Sequence, residues 1–260
     1  MRPALNILVI GDVVGKVGRR ALACALPGIR RSHSIDLVIA NGENAAGGKG
    51  LTPSTADEMF EAGVEIITSG NHIWHYREVY PYLDGEAPVL RPLNYPQGAP
   101  GRGVIARDGI AVINLIGRTF MPGTLDCPFR AADEALAQLA GRRIVIVDMH
   151  AEATSEKAAI AWYLDGRVTA VIGSHTHIPT ADTRVLPGGT AFVTDVGMVG
   201  PRDSILGMET QSVIETFLSG LPTRFTTVER GPVVFNSVLV QVNAETGKAE
   251  SIQRIDCEVE

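Results

Sequence analysis

Short apolar runs recur along this chain, and several of them stop abruptly at a polar residue. These runs cover residues 5–11, 36–40, 64–68, 144–147 and 170–174. Runs of this length that are rich in Val, Ile and Leu are typical of buried strands. Segments around residues 20–26 and 54–62 separate the first three runs and predict helices. The alternation of strand and helix predicts a parallel sheet that is covered on both faces.

The pattern changes beyond residue 102. Residues 103–114 form two apolar stretches around Asp108-Gly109, a pair that favours a type I′ hairpin turn. Other predicted elements are a surface loop over 84–102, a short helix near 75–83, a helix over 155–163, hairpin turns at 187–189 and 243–247, and a long apolar strand over Val233–Val242. Two sheets packed face to face, with helices outside each, accommodate this order. We therefore predict an α/β fold.

The composition is that of one globular domain, predicted to span residues 1–260. A chain of 260 residues can bury a substantial core, and 45% of its residues are hydrophobic. The net charge is −6, and the arginines occur in pairs rather than in tracts. A nucleic-acid duplex is therefore not an expected partner, because such binding rests on many phosphate contacts. A small anionic substrate is compatible with this charge, because bound cations would add positive charge locally.

Cysteine usage and hydropathy suggest where the protein resides. Cys24, Cys127 and Cys257 form no recognisable motif, and such a sparse, odd number is typical of a reducing compartment. The apolar stretch near the amino terminus is too short for a secretory signal, and no run reaches transmembrane length. We expect a soluble, cytoplasmic protein without a membrane partner. The sequence is compatible with a homo-oligomer but does not decide it.

The residues that follow the apolar runs are of the types that bind metal ions. Parallel strands deliver their carboxyl ends to one crevice, so these residues are expected to converge there. They are Asp12, Glu43, Asn44, Asn71, His72, His150, His175 and His177. This mixture of oxygen and imidazole groups is too large for one tetrahedral ion and fits two ions that share a bridging carboxylate. Two-metal sites are widely used for phosphoryl chemistry.

Several candidates also have an ordinary structural explanation. Asp12 could cap the helix that follows it, Glu43-Asn44 could order a polar turn, and His72 could be a hydrogen-bonded structural histidine. The segment Gly11–Lys16 does not match a phosphate-binding P-loop, because its glycine spacing is short and Val17 replaces the magnesium-binding hydroxyl. We favour metal binding because the candidates occur together.

The candidates lie in extended motifs that follow a fixed order along the chain. The motifs are Gly11-Asp-Val-Val-Gly15, Asn41-Gly-Glu-Asn-Ala-Ala-Gly-Gly48, Gly70-Asn-His-Ile-Trp74, His150-Ala-Glu-Ala-Thr-Ser-Glu-Lys157, Gly173-Ser-His-Thr-His177 and Asp195-Val-Gly-Met198. Together they resemble the calcineurin-like metallophosphoesterase superfamily, and most closely its YmdB-like phosphodiesterase branch. Val14 stands where the wider superfamily has a His, and Glu43 replaces its bridging Asp. Both departures are typical of the YmdB-like branch, where Asn44 is the natural substitute for the lost imidazole.

The resemblance implies a four-layer αββα sandwich of two mixed sheets with a dinuclear site. One ion would be held by Asp12, Glu43, Asn44 and His177, and the other by Glu43, Asn71, His150 and His175. A hydroxide between the ions would attack phosphorus in line, and His72 would protonate the leaving oxygen. Iron or manganese is implied, although the ligand types alone also admit zinc. The implied substrates are cyclic nucleotides, particularly 2′,3′-cyclic mononucleotides, with 3′,5′-cyclic AMP as a further candidate.

Two other functions fit the same residues. The first is a phosphomonoesterase, such as a protein phosphatase or a nucleotidase. The second is a regulatory protein that senses a nucleotide or a metal without turnover. The complete ligand set and the intact His72 favour an enzyme over a sensor. A purely structural metal site is disfavoured, because such sites are usually mononuclear and rich in thiolates.

Overall fold

The computed structural model describes residues 4–260, which form two mixed β-sheets flanked by helices. The strands are β1 (Ala4–Val13), β2 (Leu37–Asn41), β3 (Ile66–Thr68), β4 (Val104–Arg107), β5 (Ile110–Ile116), β6 (Ile144–His150), β7 (Ala170–Ser174), β8 (Arg184–Val185), β9 (Ala191–Val193), β10 (Met198–Pro201), β11 (Val233–Phe235), β12 (Ser237–Asn243), β13 (Ala249–Arg254) and β14 (Cys257–Val259). The helices are α1 (Gly15–His33), α2 (Pro53–Glu61), α3 (Val79–Leu83), α4 (Pro128–Gln138), α5 (Thr154–Tyr163) and α6 (Thr210–Ser219).

The first sheet has eight strands and is built around β1. Strand β1 runs parallel to β2 and antiparallel to β12, and its end pairs in parallel with β10. Strand β3 extends the sheet beyond β2, whereas β13, β11 and β14 complete the other side. The register between β1 and β2 shifts between Ile10 and Asp12. An irregularity of this kind re-aims the side chain beside it, here that of Asp12.

The second sheet has six strands in the order β4-β5-β6-β7-β9-β8. Its four central strands are parallel, and antiparallel hairpins form both edges. Asp108 and Gly109 join β4 to β5 with φ angles of 49° and 84°, the two positive values that a type I′ turn requires. The predicted hairpins at residues 187–189 and 243–247 are also confirmed, between β8 and β9 and between β12 and β13.

The core has three layers, which the alternation of side chains along β1 makes clear. Leu8 and Ile10 pack against the helices α1 to α3, whereas Ile7 and Val9 face the second sheet. The residues of the second sheet that meet them include Ile146, Ile172 and Val193. A third layer buries the other face of that sheet under α4 and α5. The helices therefore lie outside two facing sheets, which confirms the predicted αββα sandwich.

Two sequence-based expectations were wrong. The predicted strand Val233–Val242 is interrupted at Asn236, where the chain leaves β10 and begins to pair with β1. Asn236 makes this transfer by bonding to both strands: its backbone N donates to the Met198 carbonyl, and its own carbonyl accepts from Gly11 N, both at 3.1 Å. The predicted surface loop 84–102 contributes to the interior, because Val89 and Leu90 are fully buried beside β3.

Hydropathy along the helices bears on membrane association. Within residues 4–260, none of the helices combines the length and the apolar character needed to cross a bilayer.

Candidate metal centre

The predicted ligands lie where the carboxyl ends of both sheets meet. Asp12 is near the end of β1, and His150 is the last residue of β6; the other candidates lie in the loops that follow β2, β3 and β7. Side chains join the two sheets here, because the hydroxyl of Thr68 on β3 donates to the carboxylate of Asp148 on β6. Parallel strands of two different sheets thus bring all eight candidates to one site.

Glu43 lies at the centre of this cluster. Its Oε1 is 3.2 Å from both Nδ1 of His72 and Nε2 of His150, and its Oε2 accepts a 2.9 Å hydrogen bond from the backbone N of His72. Nε2 of His150 is also 3.0 Å from Oδ1 of Asn71 and 3.0 Å from Nδ1 of His175. The Glu43 carboxylate and the His150 imidazole therefore connect the loops that follow β2, β3 and β7.

Burial and charge set the protonation of Glu43 and His150. Burial alone would raise the pKa of Glu43, but the charges and hydrogen bonds of His150 and His72 together outweigh it and hold the pKa well below its usual range. Burial alone would lower the pKa of His150, whereas the Glu43 carboxylate raises it to about 9. Without a bound cation, these two groups therefore form a buried ion pair.

Asp12 is fully buried, and one of its oxygens is unsatisfied. Oδ2 accepts a 3.2 Å hydrogen bond from the backbone N of His175. Oδ1 has no hydrogen-bond partner among the described residues; the nearest ionisable nitrogen, Nε2 of His177, is 3.9 Å away. Burial raises the pKa of Asp12 to about 6. The alternative of a helix cap is excluded, because α1 begins after Val14 and no side chain in the described chain caps it.

Hydrogen bonds determine which nitrogen of His177 faces the site. Its Nδ1 donates to the carbonyl of Leu206 at 3.0 Å, which leaves a lone pair on Nε2. Asn44 Nδ2 lies 3.1 Å from that Nε2, and Asn44 Oδ1 lies 2.8 Å from Nδ1 of His72. Asn44 thus connects His177 to His72.

His175 and His177 lie in a turn with an unusual backbone. Their φ angles are 103° and 64°, in the left-handed region that non-glycine residues rarely adopt. The residue between them, Thr176, donates from its backbone N and its hydroxyl to Oδ2 of Asp195, at 3.0 and 2.8 Å. This anchoring lets both imidazoles face the site from one short turn.

Two further contacts orient imidazoles of the cluster. Nδ1 of His150 is 3.1 Å from Oγ of Ser174, which donates to Asp148 at 2.7 Å, so Ser174 links the two side chains by hydrogen bonds. Nε2 of His175 is 3.0 Å from Oε2 of Glu152. This bond leaves Nδ1 of His175 facing His150, and burial lowers the pKa of His175 to about 3.

Sequence reasoning missed the contributions of Ser174 and Glu152. Glu152 contacts His175 rather than capping α5, and no side-chain cap is found on α5 in the part of the chain described. Both residues lie within two positions of a candidate ligand in the motifs, and this proximity in sequence was the signal that could have identified them. Glu156 lies in the first turn of α5 and accepts hydrogen bonds from the backbone N atoms of Arg118 and Thr119.

Close backbone approach at Gly70 is part of the site. A Cβ atom at this position would collide with the imidazole of His150 and the carboxylate of Glu43. Only glycine therefore allows the loop after β3 to place Asn71 and His72 against the cluster.

The residues present fit a metal cation. Ligand-type atoms of Glu43, His150 and His175 all lie within 4.8 Å of one another. A buried carboxylate oxygen without a partner, such as Oδ1 of Asp12, is unfavourable unless a cation or a donor satisfies it. The donors are carboxylate, amide and imidazole groups, the types that iron, manganese and zinc accept.

Comparison with known proteins places the chain in a family. It matches the model of the YmdB-like protein family over residues 8–255. It is 46% identical, over 96% of both chains, to the 2′,3′-cyclic-nucleotide 2′-phosphodiesterase of Bacillus subtilis (strain 168). A hypothetical protein from Thermus thermophilus has a similar crystal structure, with a TM-score of 0.91, 44% identity and coverage of 98% of this chain and 100% of that chain. The crystal structure of a novel phosphatase from Mycoplasma pneumoniae gives a TM-score of 0.93 at 34% identity, covering 99% of this chain and 95% of that chain. The chain therefore belongs to the YmdB-like family of calcineurin-like metallophosphoesterases.

Proposed function

We propose that this protein is a dinuclear metal-dependent phosphodiesterase that hydrolyses 2′,3′-cyclic nucleotides, with 3′,5′-cyclic AMP as a secondary substrate. The observation that carries the proposal is the convergence of carboxylate, amide and imidazole groups around Glu43, together with the unsatisfied Oδ1 of Asp12. The Bacillus relative, at 46% identity, supports a phosphoric diester as the substrate class.

Two ligand sets share Glu43 in this proposal. The residues of the first set are Asp12, Glu43, Asn44 and His177, and those of the second are Glu43, Asn71, His150 and His175. The contacts support this division, because Asn44 lies against His177, whereas Asn71 lies against His150. We propose iron or manganese as the native metal, and zinc as an admissible substitute.

The chemistry divides between the metals and His72. When bound, the ions would neutralise charge on the phosphodiester and lower the pKa of the attacking water. His72 lines the cleft above the ligands, and its Nδ1 is held by Asn44 Oδ1 at 2.8 Å. In its doubly protonated form His72 also carries a proton on Nε2, and it donates this proton to the 2′-oxygen as the bond between phosphorus and that oxygen breaks. The products are a 2′-hydroxyl and a 3′-phosphomonoester.

Charges around the cleft favour a diester over a monoester. Among the described residues that line the cleft, none is Lys or Arg, and Glu152 adds a carboxylate at its edge. A diester carries one negative charge less than a monoester dianion, so it is repelled less by Glu152. The phosphomonoesterase remains the second candidate, because a solved relative bears the name phosphatase.

The test is a comparison of two substrates with metal-analysed protein and added Mn²⁺. We expect a higher kcat/KM for 2′,3′-cyclic AMP than for p-nitrophenyl phosphate. A preference for the monoester would support the phosphatase instead. Two bound metals without turnover of either substrate would contradict both enzymatic proposals and support a sensor.

A further inference from the structure

A cleft of about 480 Å³ opens above the metal ligands, and its two sides differ in character. One side contains the ligand residues and His72. The other side is an apolar wall formed by Ile205, Leu206, Met208, Val213, Phe217 and Phe225. This volume lies within the range of about 300–1,000 Å³ that is typical of small-molecule sites.

The apolar wall is attached to the loops that carry the ligands. Short β-bridges join Met208 to Ile205 and to Thr227, and Thr227 packs against Gly48 in the loop that carries Glu43 and Asn44. The carbonyl of Leu206 accepts the hydrogen bond from His177 that fixes the orientation of this imidazole. The distance between the wall and the ligands is therefore set by direct contacts.

The two aromatic rings of the apolar wall are open to solvent. Phe217 is 85% exposed and Phe225 is 45% exposed, and α6 buries only Val213 within the described chain. The free energy falls when a flat apolar group covers an exposed aromatic surface. A flat apolar group on the same molecule as the phosphate can reach these rings, because both sides line one cleft.

We infer that the apolar wall binds the nucleobase of the substrate, with Phe217 and Phe225 as the stacking residues. The inference rests on the proposed function, from which the phosphate position is taken. A nucleotide is the ligand that joins an anionic end to a flat aromatic ring. Because stacking uses the face that all bases share, adenine, guanine and pyrimidine nucleotides are expected to bind with similar affinities.

The test measures binding rather than turnover, by calorimetry on Mn²⁺-loaded protein. The ligands are adenosine 3′-monophosphate and glycerol 2-phosphate, which carry the same type of phosphate with and without a base. We expect the nucleotide to bind more tightly. Phe217→Ala and Phe225→Ala should each weaken nucleotide binding by about fivefold to 100-fold and leave glycerol 2-phosphate unchanged. Leu218→Ala is the matched control, because Leu218 is 82% exposed on the same helix but does not line the cleft.

Equal affinity of the wild type for both ligands would overturn the inference, and so would a Phe217→Ala variant that loses both ligands alike. A loss of self-association in that variant, with unchanged nucleotide binding, would assign the apolar wall to a second copy of the chain. Hydrolysis of 2′,3′-cyclic AMP by the wild type, measured in parallel, tests the proposed function separately: base-dependent binding without hydrolysis would contradict the enzyme and leave the wall's role intact.

Discussion

The ammonium group of Lys157 on α5 lies 2.7 Å from Oδ2 of Asp195, and both side chains are fully buried. The same oxygen accepts both hydrogen bonds from Thr176, the residue between His175 and His177. Oδ1 of Asp195 accepts a further bond from the backbone N of Gly197 at 2.8 Å. The ion pair therefore supports the strained turn that presents two imidazoles to the site.

Replacing Lys157 by Met is expected to leave the Asp195 charge buried and unpaired. Loss of one partner of such a pair destabilises a protein by about 3–5 kcal/mol. Urea unfolding should show this loss, and elemental analysis should show reduced Mn²⁺ occupancy, because the turn loses its support. Arg167→Met is the control, since Arg167 pairs with Asp133 at the surface and its loss should change stability far less. Full metal occupancy in a folded Lys157→Met protein would contradict the positioning role.

Gly70→Ala is expected to disrupt the metal centre. The added methyl group would collide with His150 and Glu43, so the loop after β3 must move away from the cluster. We expect reduced metal occupancy and a lower melting temperature. Gly28→Ala is the matched control, because Gly28 lies in α1 and a Cβ atom added there would meet no other group. This change should stabilise the helix by about 0.5–1 kcal/mol. Unchanged metal binding in Gly70→Ala would show that the loop tolerates the displacement.

His72→Ala separates catalysis from metal binding. His72 contacts Asn44 and Glu43 but belongs to neither proposed ligand set. We expect the metal content to stay intact while kcat for 2′,3′-cyclic AMP falls by about 10²–10⁴-fold, the usual range for a general acid. Elemental analysis and steady-state kinetics measure both quantities on the same sample. If the variant loses metal, His72 is a ligand and the assignment as general acid is wrong.

Metal uptake by the metal-free protein should depend steeply on pH. A cation requires Asp12 to be ionised and His150 to be neutral, but the pKa of Asp12 is raised by burial to about 6 and that of His150 is raised by Glu43 to about 9. Protons therefore compete with the metal below these values, and affinity should rise as the pH increases through this window. Between the two values, release of one proton predicts about a tenfold gain per pH unit. Calorimetric titration with Mn²⁺ at several pH values measures the slope, and a flat profile would contradict these protonation states.

The secondary-structure elements that depend only on neighbouring residues could be predicted from the sequence. Runs of apolar residues identified the central strands of both sheets, and Asp108-Gly109 identified its hairpin turn, because both signals depend on neighbours in sequence. The break at Asn236 was not predictable, because it depends on Gly11 and Met198, which lie far away in sequence. The burial of Val89 and Leu90 has the same origin, since it results from pairing beside β3.

For the site, the sequence by itself determined which groups are present and that they follow buried strands, so it predicted metal chemistry and the candidate ligands. Only the tertiary structure decided that Glu43 lies between His72 and His150, that Oδ1 of Asp12 is left unsatisfied, and that six apolar side chains between residues 205 and 225 form the apolar wall opposite the ligands. The physical reason is that residue identity and strand periodicity are local properties. Contact geometry, burial and the resulting pKa shifts arise only when segments distant in sequence pack together.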